Sequence, residues 1–490
     1  MIFRLRFLVP AVLAALLLAG CGADREGVID LAVIGDRDSL LQKGTRLSPD
    51  AQLLRSATVD GLVRLDANGD VTPALAERWI VTDDGRSYIF RLRNGTWPDG
   101  AELSSESVED AFRRTLRSLK GTSLALDLSR ISEIRAMAGR VVEIRLTSPM
   151  PNFLQLLAQP ELGLFHKGAG QGLMRLEDDD ELVLHPLPPQ ARGEAEDPSW
   201  PKRSRELRLR AVSASQAILL FDEGKVDLVL GGQIETLPLV DTGPLSRGTV
   251  RLDRVIGLFG LQVLNPKGVL AEPSMREAVA MAIDRPAVIA PFNVGGWDAT
   301  TRVVSPGLDD DLGTIGERWE SLPVEDRQRE AARRVAAWSA ANGGAPARLS
   351  VFLPEGPGSD IVLTVLRGDL AKAGFLLDRA ATERQADLIW VDRVARYAAA
   401  EWFLNQFNCS LRRGACSPEA DARVEEARAA PDPASAAALL AEAEAELTAA
   451  NVYIPIGVPL RWSLVRSDIT GFAANRWGFH PLPPLAVLPK

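Results

Sequence analysis

GLVRLDANGDVTPALAERWIVTDDGRSYIFRLRNGTWPDG, residues 61–100, is a run of short elements punctuated by turns. Residues 59–65 read as a strand, closed by the hairpin-like turn Asp66-Ala67-Asn68-Gly69. Residues 73–79 predict a short helix with Pro73 near its start. Asp83-Asp84-Gly85 turns again. Residues 87–93 then alternate, with Tyr88, Phe90 and Leu92 on one face of a strand. After the turn Trp97-Pro98-Asp99-Gly100, Ser104 caps a helix through Val108, Ala111 and Phe112.

Further along, the periodicity changes to a β-α-β pattern. Residues 325–341 predict a helix ended by Asn342-Gly343-Gly344. Leu349, Val351 and Leu353 alternate as a strand. Ser359 is placed to cap a helix with the apolar stripe Val362, Leu366, Leu370 and Ala373. Residues 375–378 and 387–391 are strands again, which implies parallel pairing with right-handed crossovers. Ser417-Pro418 and Asp432-Pro433 each open a helix, and 453–456 reads as a strand. Residues 193–205 read as loop.

At 490 residues the chain is too long for one core, and two or three domains are expected. A formal net charge of -9 argues against nucleic acid as the main partner. Arg4 and Arg6 precede an apolar run over 7–20, shorter than the roughly 20 residues a spanning helix needs. Leu18-Ala19-Gly20-Cys21 follows. Residues 1–20 therefore read as a signal peptide, and the ending resembles a bacterial lipobox. That resemblance implies cleavage before Cys21, acylation of Cys21, and anchoring of a soluble body to a membrane through lipid. Of the three cysteines, Cys409 and Cys416 remain. In an exported chain so close a pair is expected to form a disulfide. A metal or redox pair is the alternative, without Cys-x-x-Cys spacing or a nearby histidine to favour it.

The pieces G-L-V-x-L-D, P-A-L-A-E-R-W and D-G-x-x-Y-x-F-x-L-R-x-G-x-W-x-D-G, in this order, resemble the N-terminal signature of the bacterial extracellular solute-binding proteins of family 5. The family supplies the dipeptide- and oligopeptide-binding components of ABC importers. The resemblance continues in FDEGKVDLV (221–229) and in NPKGVLAEPSMREAVAMAIDR (265–285). It implies an α/β, two-lobed periplasmic-binding-protein fold, type II-like, with an additional small domain inserted in the first lobe. Residues 21–27 would be the lipidated N-terminus and linker. Lobe I would comprise 28–48, 145–258 and 461–490, with the extra domain at 49–144. Lobe II would be 259–460. The chain would cross between lobes near 255–265 and near 453–460. Ligand would bind between lobes that close by hinge motion, and the closed form would dock on permease subunits. A monomer is expected.

The segment 387–405, DLIWVDRVARYAAAEWFLN, is the candidate grip. It opens as a buried strand, turns polar, and becomes helical from about Ala398. Ligands of open α/β sheets sit beyond the carboxyl ends of strands. Peptide-binding members carry a W-x-A-D-Y-type turn here, then F-L-N. Anchored on Asp387 and on Phe403-Leu404-Asn405, the family's Trp falls on Arg393, its ammonium-holding Asp on Arg396, and its Tyr on Tyr397. A guanidinium would repel an ammonium and suits carboxylate or phosphate. The resemblance therefore points to a ligand that is anionic or lacks an amine. Pairing of Arg396 with an internal acid such as Asp392 or Glu401 is the competing expectation. A third is that Asp392 takes over the amine. Trp390, Trp402, Phe259, Gln262 and Trp297 are further ligand-contact candidates, each equally suited to packing.

Enzyme chemistry finds little support. There is no Gly-x-Ser-x-Gly, no His-Glu-x-x-His and no Gly-x4-Gly-Lys-[Ser/Thr]. Gly168-Ala-Gly-Gln-Gly172 reads as a turn, and His166, His185 and His480 are scattered. No cofactor and no metal site is expected. A sensor or chaperone lipoprotein of the same fold is the alternative to a transport component.

Overall fold

The computed structural model describes residues 27–241, 243, 248–313 and 317–488. The signal segment 1–20 and the lipidation candidate Cys21 lie outside the described residues. Two sheets organise the two lobes. The first has seven strands, in the order Val250–Arg254, Leu460–Val465, Leu228–Gly232, Val28–Ile34, Glu206–Val212, Leu182–Pro186 and Met174–Asp178. Val28–Ile34 runs parallel to both of its neighbours. It is apolar on both faces because both are covered. Ile29, Leu31 and Val33 pack with Leu53, Leu54 and Ala57 of the helix Pro49–Thr58, while Ala32 joins the larger core.

The second sheet has five strands, in the order Phe375–Arg379, Ala347–Phe352, Leu388–Val394, Gly257–Val263 and Tyr453–Gly457. Ala347–Phe352 is parallel to Phe375–Arg379 and to Leu388–Val394, as the β-α-β pattern requires. The chain passes between the sheets twice. Val250–Arg254 of the first sheet leads into Gly257–Val263 of the second, and Tyr453–Gly457 leads back into Leu460–Val465. Each passage is only two residues long, 255–256 and 458–459, which suits a hinge.

A four-stranded antiparallel sheet, Ala76–Val81, Ser87–Leu92, Val141–Leu146 and Ile131–Met137, carries the helix Ser105–Ser118. Ser104 and Ser107 form a reciprocal capping box at its start. The helix predicted over 73–79 is not there. That stretch is extended, with strands Val71–Pro73 and Ala76–Val81. Its helix-forming side chains lose to backbone pairing. Leu75 N donates to Gly61 O, Ala76 N donates to Leu62 O, and Ala76–Val81 pairs with Ser87–Leu92. Smaller differences follow from the same competition. Strand pairing begins at Val63 rather than at 59, and Trp200–Arg203 forms a turn of helix within the expected loop. The helix expected from Ser359 starts at Pro357, a residue type suited to the first turn.

Gly172 is a packing residue of the glycine cluster: a Cβ there would lie 2.5 Å from the Ala57 carbonyl oxygen. Cys409 and Cys416 are bonded, with Cα atoms 5.2 Å apart. Among the described residues no helix is long and apolar enough to cross a membrane, and no group of three or more His, Cys, Asp or Glu is arranged to hold a metal ion.

Candidate functional site

Leu388–Val394 ends at the interface of the two lobes, and the next residues turn across it before the helix Ala400–Asn405. A cavity of about 340 Å³ opens there. Residues 392–396 border it from the second lobe. Gln159, Pro160, Gln233 and Arg461 border it from the first, with Trp477 and His480 beyond. It lies past the ends of Leu228–Gly232 and Leu388–Val394, where an open sheet leaves room for a ligand.

The charged side chains here are mostly paired across the lobes. Arg396 lines the cavity, and its Nη2 donates to Oε1 of Glu161 at 3.2 Å. The internal acid is thus neither Asp392 nor Glu401 but one from the opposite lobe. Asp392 accepts from Arg461 Nη1 at 2.6 Å. Burial raises the Asp392 carboxyl, and the Arg461 guanidinium works against that shift. Arg393 donates from Nη1 to Gln406 Oε1 at 2.9 Å. Burial, with Arg396 and Arg413 close by, brings it down to about 10, so it stays charged at neutral pH.

Tyr397 is fully buried and donates to Asp127 Oδ1 at 3.1 Å. Asn405 Nδ2 donates to the same oxygen at 2.8 Å. Burial raises the Tyr397 phenol well above its ordinary range, and the Asp127 charge adds to the effect. Tyr397 therefore ties the lobes together and does not border the cavity.

The remaining candidates are packing residues around the crossing strands, and none borders this cavity. Phe259 is fully buried, with Trp390 edge-on at 4.7 Å and Trp297 tilted at 5.3 Å. Trp297 Nε1 donates to Val458 O, beside the second passage between lobes. Gln262 holds the disulfide loop through Arg413 O at 2.6 Å. Trp402 is fully buried and stands edge-on to Phe403. Large aromatic surfaces gain most by complete burial, which accounts for all four rings.

A model of the bacterial extracellular solute-binding proteins, family 5 (middle region), matches residues 70–411. The chain belongs to family 5 of the bacterial extracellular solute-binding proteins. Among similar family members, "Probable di/tripeptide-binding protein 5" of Pseudomonas aeruginosa (strain UCBPP-PA14) is 23% identical over 495 residues. That match covers 87% of this chain and 89% of the relative. "Probable deoxycholate-binding periplasmic protein YgiS" of Escherichia coli (strain K12) is 32% identical over 122 residues, covering 21% of this chain and 23% of the relative. The crystal structure of Haemophilus influenzae OppA in complex with RPPGFSPFR superposes with a TM-score of 0.79 at 18% identity. It covers 95% of this chain and 100% of that one.

Other groups in this family 5 protein that join the lobes were not legible beforehand. Gln159 Nε2 donates to Arg396 O and Asn152 Nδ2 to Ala398 O, each at 3.0 Å. Glu401 accepts from Arg130 at 2.5 Å and from Arg428 at 2.7 Å. Gly358 N donates to Glu235 O at 2.8 Å, and a Cβ on Gly358 would lie 2.0 Å from Ile234 O. That clash exists only while the lobes meet. Gly358→Val is therefore expected to enlarge the radius of gyration in small-angle scattering and to weaken ligand binding. Fold content by circular dichroism should be unchanged.

Proposed function

We propose that this protein is the solute-capturing component of an ABC importer, exported and held at a membrane by lipid on Cys21. It would take a peptide-like or other small solute between its lobes and present the closed form to the permease. The observation that carries this reading is the cavity of about 340 Å³ walled by both lobes beside two short hinge passages. Such a volume lies at the small end of ligand pockets, roughly 300–1,000 Å³. The family and the di/tripeptide-binding relative support the peptide-like class. The deoxycholate-binding relative is a reason not to restrict the solute to peptides.

The lobe division proposed with this reading is 28–48, 145–258 and 461–490 against 259–460. The helix Pro49–Thr58 packs into the first lobe's core, so the extra domain is better begun after it and ended near 144. Uptake assays in a deletion strain, with co-purification of permease subunits, test the transport role. A protein that binds solute yet supports no uptake would be a sensor or chaperone instead. The anchor is tested separately. Cys21→Ala is expected to move the protein from the membrane fraction to the soluble one and to abolish incorporation of labelled palmitate.

A further inference from the structure

We propose that the cavity receives a small solute through a carboxylate, with Arg393 as the principal cationic contact and no accessible acid for a ligand ammonium. This rests on the reading that the cavity holds the transported solute.

Three arginines border the cavity: Arg393, Arg396 and Arg461. Two are neutralised by acids, Arg396 by Glu161 and Arg461 by Asp392. Arg393 makes no ion pair among the described residues. Its hydrogen-bond partner is the neutral amide oxygen of Gln406, which fixes the fork without cancelling its charge. Glu383 acts on Arg393 only at a distance, so this is the lining arginine without a contacting carboxylate among the described residues. Arg393 stands where the family's turn carries tryptophan, so this charge has no counterpart in the resemblance.

Accessibility points the same way. The Arg396 and Arg461 side chains are 23% and 13% exposed, against 2% for Glu161 and 7% for Asp392. Glu161 Oε2 and Asp392 Oδ2 are buried without a hydrogen-bond partner. Glu161 does not border the cavity, and Asp392, which does, keeps its side chain nearly covered and its Oδ1 on Arg461. An ammonium placed here would face guanidiniums and could reach neither free carboxylate oxygen. A carboxylate would find a planar fork of matching geometry. It would also relieve the mutual repulsion of Arg393 and Arg396.

The test uses the mature protein, stripped of retained solute by dialysis from denaturant and refolded. It is titrated calorimetrically with dialanine, N-acetyl-dialanine, dialanine amide and N-acetyl-dialanine amide. The expected result is that acetylation changes affinity little, whereas amidation of the carboxyl end weakens it roughly tenfold or more. Arg393→Gln should erase that discrimination and Arg393→Lys should retain part of it. Dialanine amide binding as tightly as N-acetyl-dialanine would overturn the proposal.

Native mass spectrometry of protein from its own host is the second arm. A retained solute with a carboxyl group supports the proposal. One without an acidic group overturns it and leaves the transport reading intact. A protein that retains nothing, and neither closes nor gains stability with any of the four probes, overturns both.

Discussion

Replacing Glu401 with alanine is expected to destabilise the protein by about 3–5 kcal/mol and to part the lobes. Its side chain is 4% exposed and lies between Arg130 of the first lobe and Arg428 of the second, themselves 12% and 9% exposed. Removing the carboxylate leaves the buried Arg130 guanidinium without its acid beside Arg428, which keeps only its pair with the exposed Glu425. An uncompensated buried charge is costly in a way that a lost surface pair is not. Arg428 also donates from Nη2 to Asn405 Oδ1 at 3.1 Å, so its displacement loosens the Asn405–Asp127 contact as well. Urea unfolding measures the first effect and small-angle scattering the second. Glu401→Gln keeps the shape and loses the charge, so it should fall most of the way to the alanine variant. A change below about 1 kcal/mol in both would mean that water or another group shields the two arginines.

Closure is expected to weaken as pH rises from about 5 to about 8. Asp127 is completely buried where the lobes meet, and burial raises its carboxyl from 3.8 to about 7. Asn405, Arg396 and Tyr397 oppose that shift, and Glu401 reinforces it. In the open form the carboxyl returns to water and to its ordinary range. A carboxyl raised in the closed form binds more protons there than in the open form. Its favourable contribution is therefore complete below the ordinary value and is lost as pH climbs through the raised one. Each unit of pH in that window can change the closed-to-open ratio by up to about tenfold. A loss of roughly tenfold or more in ligand affinity is expected across the range. Asp127→Asn keeps an oxygen to accept from Tyr397 and Asn405, needs no charge, and should flatten the profile while tightening binding at neutral pH. Glu235, also raised to about 7 by burial and by Asp392, acts in the same direction. Glu235→Gln should remove what slope remains. A profile for Asp127→Asn as steep as the parent's would exclude this residue as the source.

The parts of the fold that were legible are those whose signal is local. The turn at 66–69 closes the two-stranded pair Val63–Leu65 and Val71–Pro73, and those at 83–85 and 97–100 bracket a strand of the four-stranded sheet. The stripe Val362, Leu366, Leu370 marks a helix between parallel strands. Residues 73–79 misled because Pro-Ala-Leu-Ala-Glu favours a helix in isolation, while its backbone groups find partners on residues 61 and 62. The position of Arg396 at the gap between lobes was legible through the turn it occupies. Its partner was not, since Glu161 is 235 residues away and sits in an undistinguished Pro-Glu-Leu turn. The aromatic residues were open to two readings, ligand contact or packing, and their burial accords with the second. Phe259, Trp297, Trp390 and Trp402 have the chemistry of a ligand wall, yet each has more surface to gain from the interior. Arg393 was a candidate from the outset, but only the pairing of its neighbours shows why it differs from them.

The first lobe holds the turn at 396–398 partly by its main chain: Gln159 reaches the carbonyl of residue 396 and Asn152 that of residue 398, beside the side-chain bonds of Arg396 to Glu161 and of Tyr397 to Asp127. A carbonyl is the one feature every amino acid supplies. These two main-chain fastenings therefore survive any rewriting of what the turn displays toward a cargo. Arg396 is different: it faces the passenger and bars the door at once, so a change there alters both.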